Sequence, residues 1–323
     1  MPKPISPAEP PAPVRVVIVT MDSHLAGPAE RARASLERDI PGLELTLHAA
    51  AEWSEDPEAL ERARADVAQG DIVVANMLFL EEHVRAIRPA LEARRAHCDA
   101  MVGCVAASEI VKLTRLGDLD MARPATGPMA LLKRLRGKKG GQGSSGEGQM
   151  KMLRRLPKIL RFIPGKAQDL RAYFLTMQYW LAGSDENVAN MVRFLVDRYA
   201  AGPRAALRGR VPAEAPVDYP DTGLYHPALP DRVTEALDDL PARGGEGTVG
   251  LLLMRSYLLA GDTGHYDAVI SALEARGLRV VPAYAAGLDA RPAIDAFFRD
   301  AEGRASVDAV LSLTGFSLVG GPA

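Results

Sequence analysis

The sequence predicts an α/β protein, and three observations predict it. Apolar, β-branched runs alternate with helix-like stretches from Val14 to Ala122, the alternation breaks at Arg123 into a basic and Gly-rich segment, and it resumes at Val249. Continuous apolar strands that alternate with helices are the pattern of a parallel sheet covered on both faces. With 323 residues, 47% of them hydrophobic, the chain is long enough for two domains with substantial cores.

Taken in order, residues 1–13 are proline-rich and lack the apolar run of a signal peptide, so they read as a flexible leader. Val14 to Thr20 is the first strand. The small polar loop Asp22-Ser23-His24 leads into a helix from Pro28 to Asp39, with proline in its first turn. A strand from Leu43 to Ala49, a helix from Asp56 to Ala68, a strand from Asp71 to Leu78 and a helix from Glu81 to His97 continue the pattern. Strand Ala100 to Ala106 and a helix starting at Ser108 complete it. Residues 14–122 are therefore expected to form an N-terminal α/β domain of flavodoxin-like type with about four parallel strands, able to fold alone.

Residues 123–201 read as a loop and a helical connector. Thirteen Lys and Arg between 123 and 171 face only Glu147 and Asp169, a local charge of +11 in a chain of net −2, which leaves the remainder near −13. Gly137 to Gly146 contains no apolar residue to bury, so Lys138 to Gly148 is expected to be mobile. Helices are expected over Met150 to Phe162 and Lys166 to Ala201, where Leu170, Phe174, Met177, Trp180 and Leu181 recur at helical spacing. Residues 202–323 read as the start of a second α/β domain. Its expected elements are strand Val249 to Leu253, helix Tyr266 to Arg276, strand Arg279 to Ala283, helix Pro292 to Ala301 and strand Val307 to Leu313. Ten residues after that strand the chain stops, which reads as an incomplete, truncated sheet.

Three constellations could carry chemistry. Asp22 and His24 lie in the loop after the first strand, where open α/β sheets place ligands; the plainer alternative is that Asp22 or Ser23 caps the next helix. Tyr225 and His226 sit in an irregular stretch between the two blocks, where an imidazole could accept a proton or bind a metal weakly, or could simply hydrogen-bond before Pro227. Arg255 at a strand end could hold a carboxylate in a two-point grip, with His265 beside a helix N-terminus that favours an anion. There the alternative is a structural ion pair, with Asp262 or Thr263 as the helix cap.

Other classes are disfavoured. The basic segment interleaves with Gly and Leu rather than stacking aromatics, and no Walker A pattern, HExxH motif, Cys-x-x-Cys pair or nucleophile elbow occurs. No nucleic acid, no resident metal and no ATP site is expected on this chain. The apolar runs Ile72 to Leu80 and Val249 to Leu259 are too short for the roughly 20 residues of a membrane span. Two cysteines, Cys98 and Cys104, fit neither a zinc pair nor a disulfide framework, which points to the cytoplasm.

Four blocks carry a family resemblance: VVIVTMDSHLA over 16–26, ANMLFLEEH over 75–83, LRAYFLTMQYWLAGS over 170–184 and GLYHP over 223–227. Together the chain resembles the N-terminal part of the large subunit of magnesium chelatase, with its second block shared by the wider family that includes the large subunit of cobaltochelatase. The resemblance implies binding of protoporphyrin IX, Mg2+ as the inserted substrate ion, and two smaller partner subunits, including an ATPase ring, that hydrolyse the ATP. It also implies that catalytic residues lie beyond Ala323. The alternatives are a cobaltochelatase-like subunit of corrinoid synthesis and a non-catalytic porphyrin-binding or regulatory module.

Overall fold

A computed structural model describes residues 12–21, 23–123, 155–241, 247–287, 289–315 and 317–318. Most of the proline-rich leader, Asp22 and the Lys138 to Gly148 segment lie outside them. The chain divides into two compact units. Among the described residues, the first takes everything up to Pro216 except 181–184, and the second takes 181–184 and Val217 onward.

The first unit is built on a mixed sheet. Strands β1 (Val14–Thr20), β2 (Leu43–Ala49), β3 (Ile72–Asn76) and β4 (Ala100–Cys104) are parallel in the order β2-β1-β3-β4. Helices α1 (Ala26–Asp39), α2 (Pro57–Gln69) and α3 (Glu81–Arg94) connect them. Alternation divides the strands between two faces. Val17, Val19, Val73 and Ala75 pack with Ala59, Ala63 and Val67 of α2 and with Val84, Ile87 and Leu91 of α3. The opposite face, with Val16, Ile18, Ile72 and Val74 fully buried, belongs to the side of α1.

After β4 the expected helix lasts one turn, α4 (Ser108–Val111), before a hairpin of β5 (Arg115–Leu116) and β6 (Leu119–Asp120) adds antiparallel to β4. The cause is local. The Thr114 hydroxyl accepts from the Gly103 amide at 2.9 Å and donates to the Gly103 carbonyl at 3.0 Å, tying the returning chain to β4. Gly103 permits the approach, since a Cβ there would collide with the Ile110 carbonyl.

The stretch Lys166 to Ala201 forms two helices, Lys166–Ala182 and Asp185–Tyr199, separated at Gly183, whose φ of 54° is left-handed. The second of these helices packs along α1. Arg31 grips Asp185 in a two-point pair at 2.7 Å, and Arg193 reaches Asp39 at 2.8 Å. Beyond it, Arg204 pairs with the buried carboxylate of Asp71 and the half-buried one of Asp99, each at 3.1 Å. An apolar helix face with flanking arginines needs a surface to cover, and α1 supplies one for the second helix.

The second unit holds another mixed sheet, in the order β11-β9-β10-β7-β8. Strands β9 (Gly247–Met254), β10 (Leu278–Ala285) and β11 (Ala309–Ser312) are parallel, with helices Gly264–Glu274 and Arg291–Phe297 between them. Residues expected to be irregular instead form β7 (Thr222–Tyr225), antiparallel to β10, with β8 (Val233–Thr234) beyond it. Gly223 makes this possible, because a side chain there would meet the Tyr284 hydroxyl at 2.5 Å and the Thr234 carbonyl at 3.0 Å. Among the described residues no helix is long and apolar enough to cross a membrane.

Candidate functional site

The second unit brings Tyr225 and His226 together at the end of β7, where both face helix Gly264–Glu274. The Tyr225 hydroxyl donates to Asp267 at 2.5 Å and accepts from Arg232 at 3.3 Å. Arg232 also donates to Thr263 at 2.9 Å, and the Thr263 hydroxyl donates to Asp267 at 3.2 Å, which closes the ring of bonds. Burial, reinforced by the bond to Asp267, raises the Tyr225 phenol above its ordinary range.

His226 is committed at both ring nitrogens. Its Nδ1 accepts from the Ala228 amide at 3.1 Å, so the proton sits on Nε2, which lies 3.0 Å from Glu274. With 2% of its surface exposed, the imidazole holds the turn after β7 to the helix and has no nitrogen left for a metal or an incoming proton. The role of proton acceptor or weak metal ligand raised by the sequence does not fit this geometry.

Arg255 is placed similarly. It follows β9 directly and opens the short helix Arg255–Leu259, but it is only 7% exposed, and its Nη2 donates to the Tyr219 carbonyl at 2.9 Å. Its guanidinium lies close enough to Tyr284 to offset part of the burial that raises that phenol. The expected grip on an external carboxylate would first have to release Tyr219. His265, by contrast, is exposed, and its ring lies 3.8 Å from Tyr266 and 5.6 Å from Tyr257. Thr263 is the cap residue of the Gly264–Glu274 helix, yet its hydroxyl bonds Asp267 and Arg232 rather than a helix amide.

In the first unit His24 is half-buried in the loop before α1, and Asp22 lies outside the described residues. Of the capping alternative only Ser23 can be followed: Leu25 is the cap residue of α1, and the Ala26 amide bonds the Ser23 backbone carbonyl at 2.8 Å. Among the described residues no group of three or more His, Cys, Asp or Glu is arranged to hold a metal ion.

Sequence reading missed Asp267 and Glu274, the carboxylates that fasten Tyr225 and His226. Their signal was a spacing of seven on one helix, which puts two acids on the same face two turns apart. It also missed Thr20 and Asn76, single polar residues that end the apolar runs of β1 and β3 and are buried there.

The chain has known relatives. Residues 15–174 match a family described as a domain of unknown function, DUF3479, and residues 177–323 match the CobN/Magnesium Chelatase family. The H-type subunit of magnesium chelatase from Cereibacter sphaeroides is 60% identical over 309 residues, covering 95% of this chain and 26% of that protein. The chloroplastic magnesium-chelatase subunit ChlH of Oryza sativa is 33% identical over 328 residues, covering 96% of this chain and 23% of that one. A solved structure, the catalytic subunit of cobaltochelatase from Mycobacterium tuberculosis, is 16% identical with a TM-score of 0.42, over 94% of this chain and 18% of that one. The chain spans about a quarter of the length of the curated relatives it matches.

Proposed function

We infer, from the premise that 95% of this chain aligns with the H-type subunit of magnesium chelatase, that it acts as the N-terminal part of the porphyrin-binding large subunit of such an enzyme. In this reading the assembly inserts Mg2+ into protoporphyrin IX on the route to chlorophyll or bacteriochlorophyll. Two smaller subunits, including an ATPase ring, hydrolyse the ATP. Mg2+ gives up its waters reluctantly and prefers oxygen ligands, so driving it into a ring of nitrogens calls for such external work. The observation that carries the reading is the 60% identity over 309 residues, which runs through both units.

The residues of this chain then take modest roles. Tyr225, His226 and Arg255 hold the β7 corner and the carboxyl end of β9 in shape, while the exposed ring of His265 and the loop containing Asp22 and His24 are the positions a ligand or partner reaches. We read the first sheet, with its order β2-β1-β3-β4, as flavodoxin-like, with the β5–β6 hairpin in place of a fifth parallel strand. The buried, free thiols of Cys98 and Cys104 fit a reducing cytoplasm. A cobaltochelatase-type subunit is the second reading, favoured by the match of residues 177–323 to a family that spans both enzymes.

Disrupting the gene in its source organism separates the readings. Accumulation of protoporphyrin IX with loss of its magnesium derivative is expected. Accumulation of a cobalt-free corrin precursor assigns the second reading, and unchanged tetrapyrrole pools overturn both.

A further inference from the structure

Thr20 ends β1 and Asn76 ends β3. Val19 is opposite Ala75 and Asn76 is opposite Cys104, so Thr20, Asn76 and Cys104 form the last rung of the sheet, with their side chains on the side of α1. All three are completely buried. The Thr20 hydroxyl, the Asn76 amide nitrogen and the Asn76 carbonyl oxygen have no hydrogen-bond partner among the described residues. Buried polar groups are paired in the great majority of cases, so a carboxamide open at both ends beside an open hydroxyl calls for a cause.

Two further features coincide there. The residues that follow the rung, Met77 with φ 55° and Val105 with φ 46°, are left-handed without being glycine. For β-branched Val105 that is a rare conformation, of the kind that clusters at functional sites. The rung also stands where the chain leaves β1 toward β2 in one direction and β3 toward β4 in the other, the point at which open parallel sheets receive ligands.

We propose that this rung is a binding site for a small neutral ligand that presents an N–H donor beside a carbonyl acceptor, a carboxamide or a ring lactam. Asn76 reads both groups at once, as asparagine does with the paired donor and acceptor of a base edge, and Thr20 adds a third contact. The neutral class follows from the floor. An open carbonyl oxygen repels an anion, and burial at the neighbouring Cys104 opposes charge. Entry is through the loop that follows β3, which carries the exposed Phe79 and Leu80. The site is independent of the chelatase reading.

The test is a thermal melt of the chain with benzamide as probe and benzoate as its charged counterpart. Benzamide is expected to raise the midpoint in a dose-dependent way and benzoate to leave it unmoved. Asn76→Leu is expected to melt at or above the unliganded wild type and to lose the benzamide response. Thr20→Val, a near-isostere, keeps the fold and weakens the apparent affinity about tenfold, as expected for one lost hydrogen bond. A wild-type midpoint indifferent to benzamide, a response that survives in Asn76→Leu, or equal responses to benzamide and benzoate would overturn the proposal. So would an Asn76→Leu variant that melts well below wild type, because it would mean that the carboxamide is structurally paired.

Discussion

The β7 corner of the second unit and the last rung of the first sheet bury polar side chains to the same degree and treat them in opposite ways. At the corner every group is matched: Tyr225 to Asp267 and Arg232, His226 to Glu274 and the Ala228 amide. At the rung the Thr20 hydroxyl and both ends of the Asn76 amide are open. A satisfied network fixes a shape, whereas an unsatisfied one lowers stability. Polar residues at the corner are therefore explained by folding, and those at the rung are not.

The sharpest way to break this comparison is to open the corner. Glu274→Ala strands a buried imidazole that cannot be rehydrated, and is expected to cost the second unit about 3 kcal/mol of unfolding free energy in a urea titration. A loss below about 1 kcal/mol would mean that the corner is no better matched than the rung. Next in size, taken per pH unit, is an effect at the rung. Burial holds the Cys104 thiol at about 12, against 9.0 as its ordinary value. From pH 9 to 12 the unfolded chain loses that proton while the folded chain keeps it, so stability falls as pH rises. The slope approaches 1.4 kcal/mol per pH unit, about the free energy of one pKa unit. Cys104→Ala should flatten the alkaline limb measured by chemical denaturation; an unchanged slope would mean that the rung is wetter than its burial implies. The smallest effect is expected from Tyr225→Phe, about 1 kcal/mol, because Asp267 keeps Arg232 and Thr263 as partners. A loss as large as that of Glu274→Ala would show that the phenol, rather than the carboxylate, organises the corner.

How much of this was legible in the sequence follows from the range of the interactions concerned. Strands β1 to β4 are runs whose burial is set by their own residues, and β1 and β2 fall on the predicted boundaries, Val14–Thr20 and Leu43–Ala49. The β5–β6 hairpin was not legible, because it depends on Thr114 meeting Gly103 across a turn. Strand β7 was read as irregular for a similar reason. Its short Thr-Gly-Leu-Tyr run has little strand signal of its own, and its place is decided by the edge of β10. Among site residues, the sequence pointed to Tyr225 and His226 as polar residues in a distinctive block, but their burial and their partners Asp267 and Glu274 come from a helix some 40 residues on. The helical connector shows the same limit: its apolar stripe was visible, and the surface it covers was not.

That covering layer sets a clock on synthesis. The sheet of the first unit is encoded by Asp120, yet the helix that packs along α1 ends only at Tyr199, and its anchoring pairs Arg31 to Asp185 and Arg193 to Asp39 each join residues 154 positions apart. A ribosome adding about 5–20 residues per second needs on the order of ten seconds to make the intervening stretch. Through that interval the sheet already carries α1, but the outward surface of α1 that the later helix covers stands open to the chaperones and neighbouring chains that meet a polypeptide at the tunnel exit.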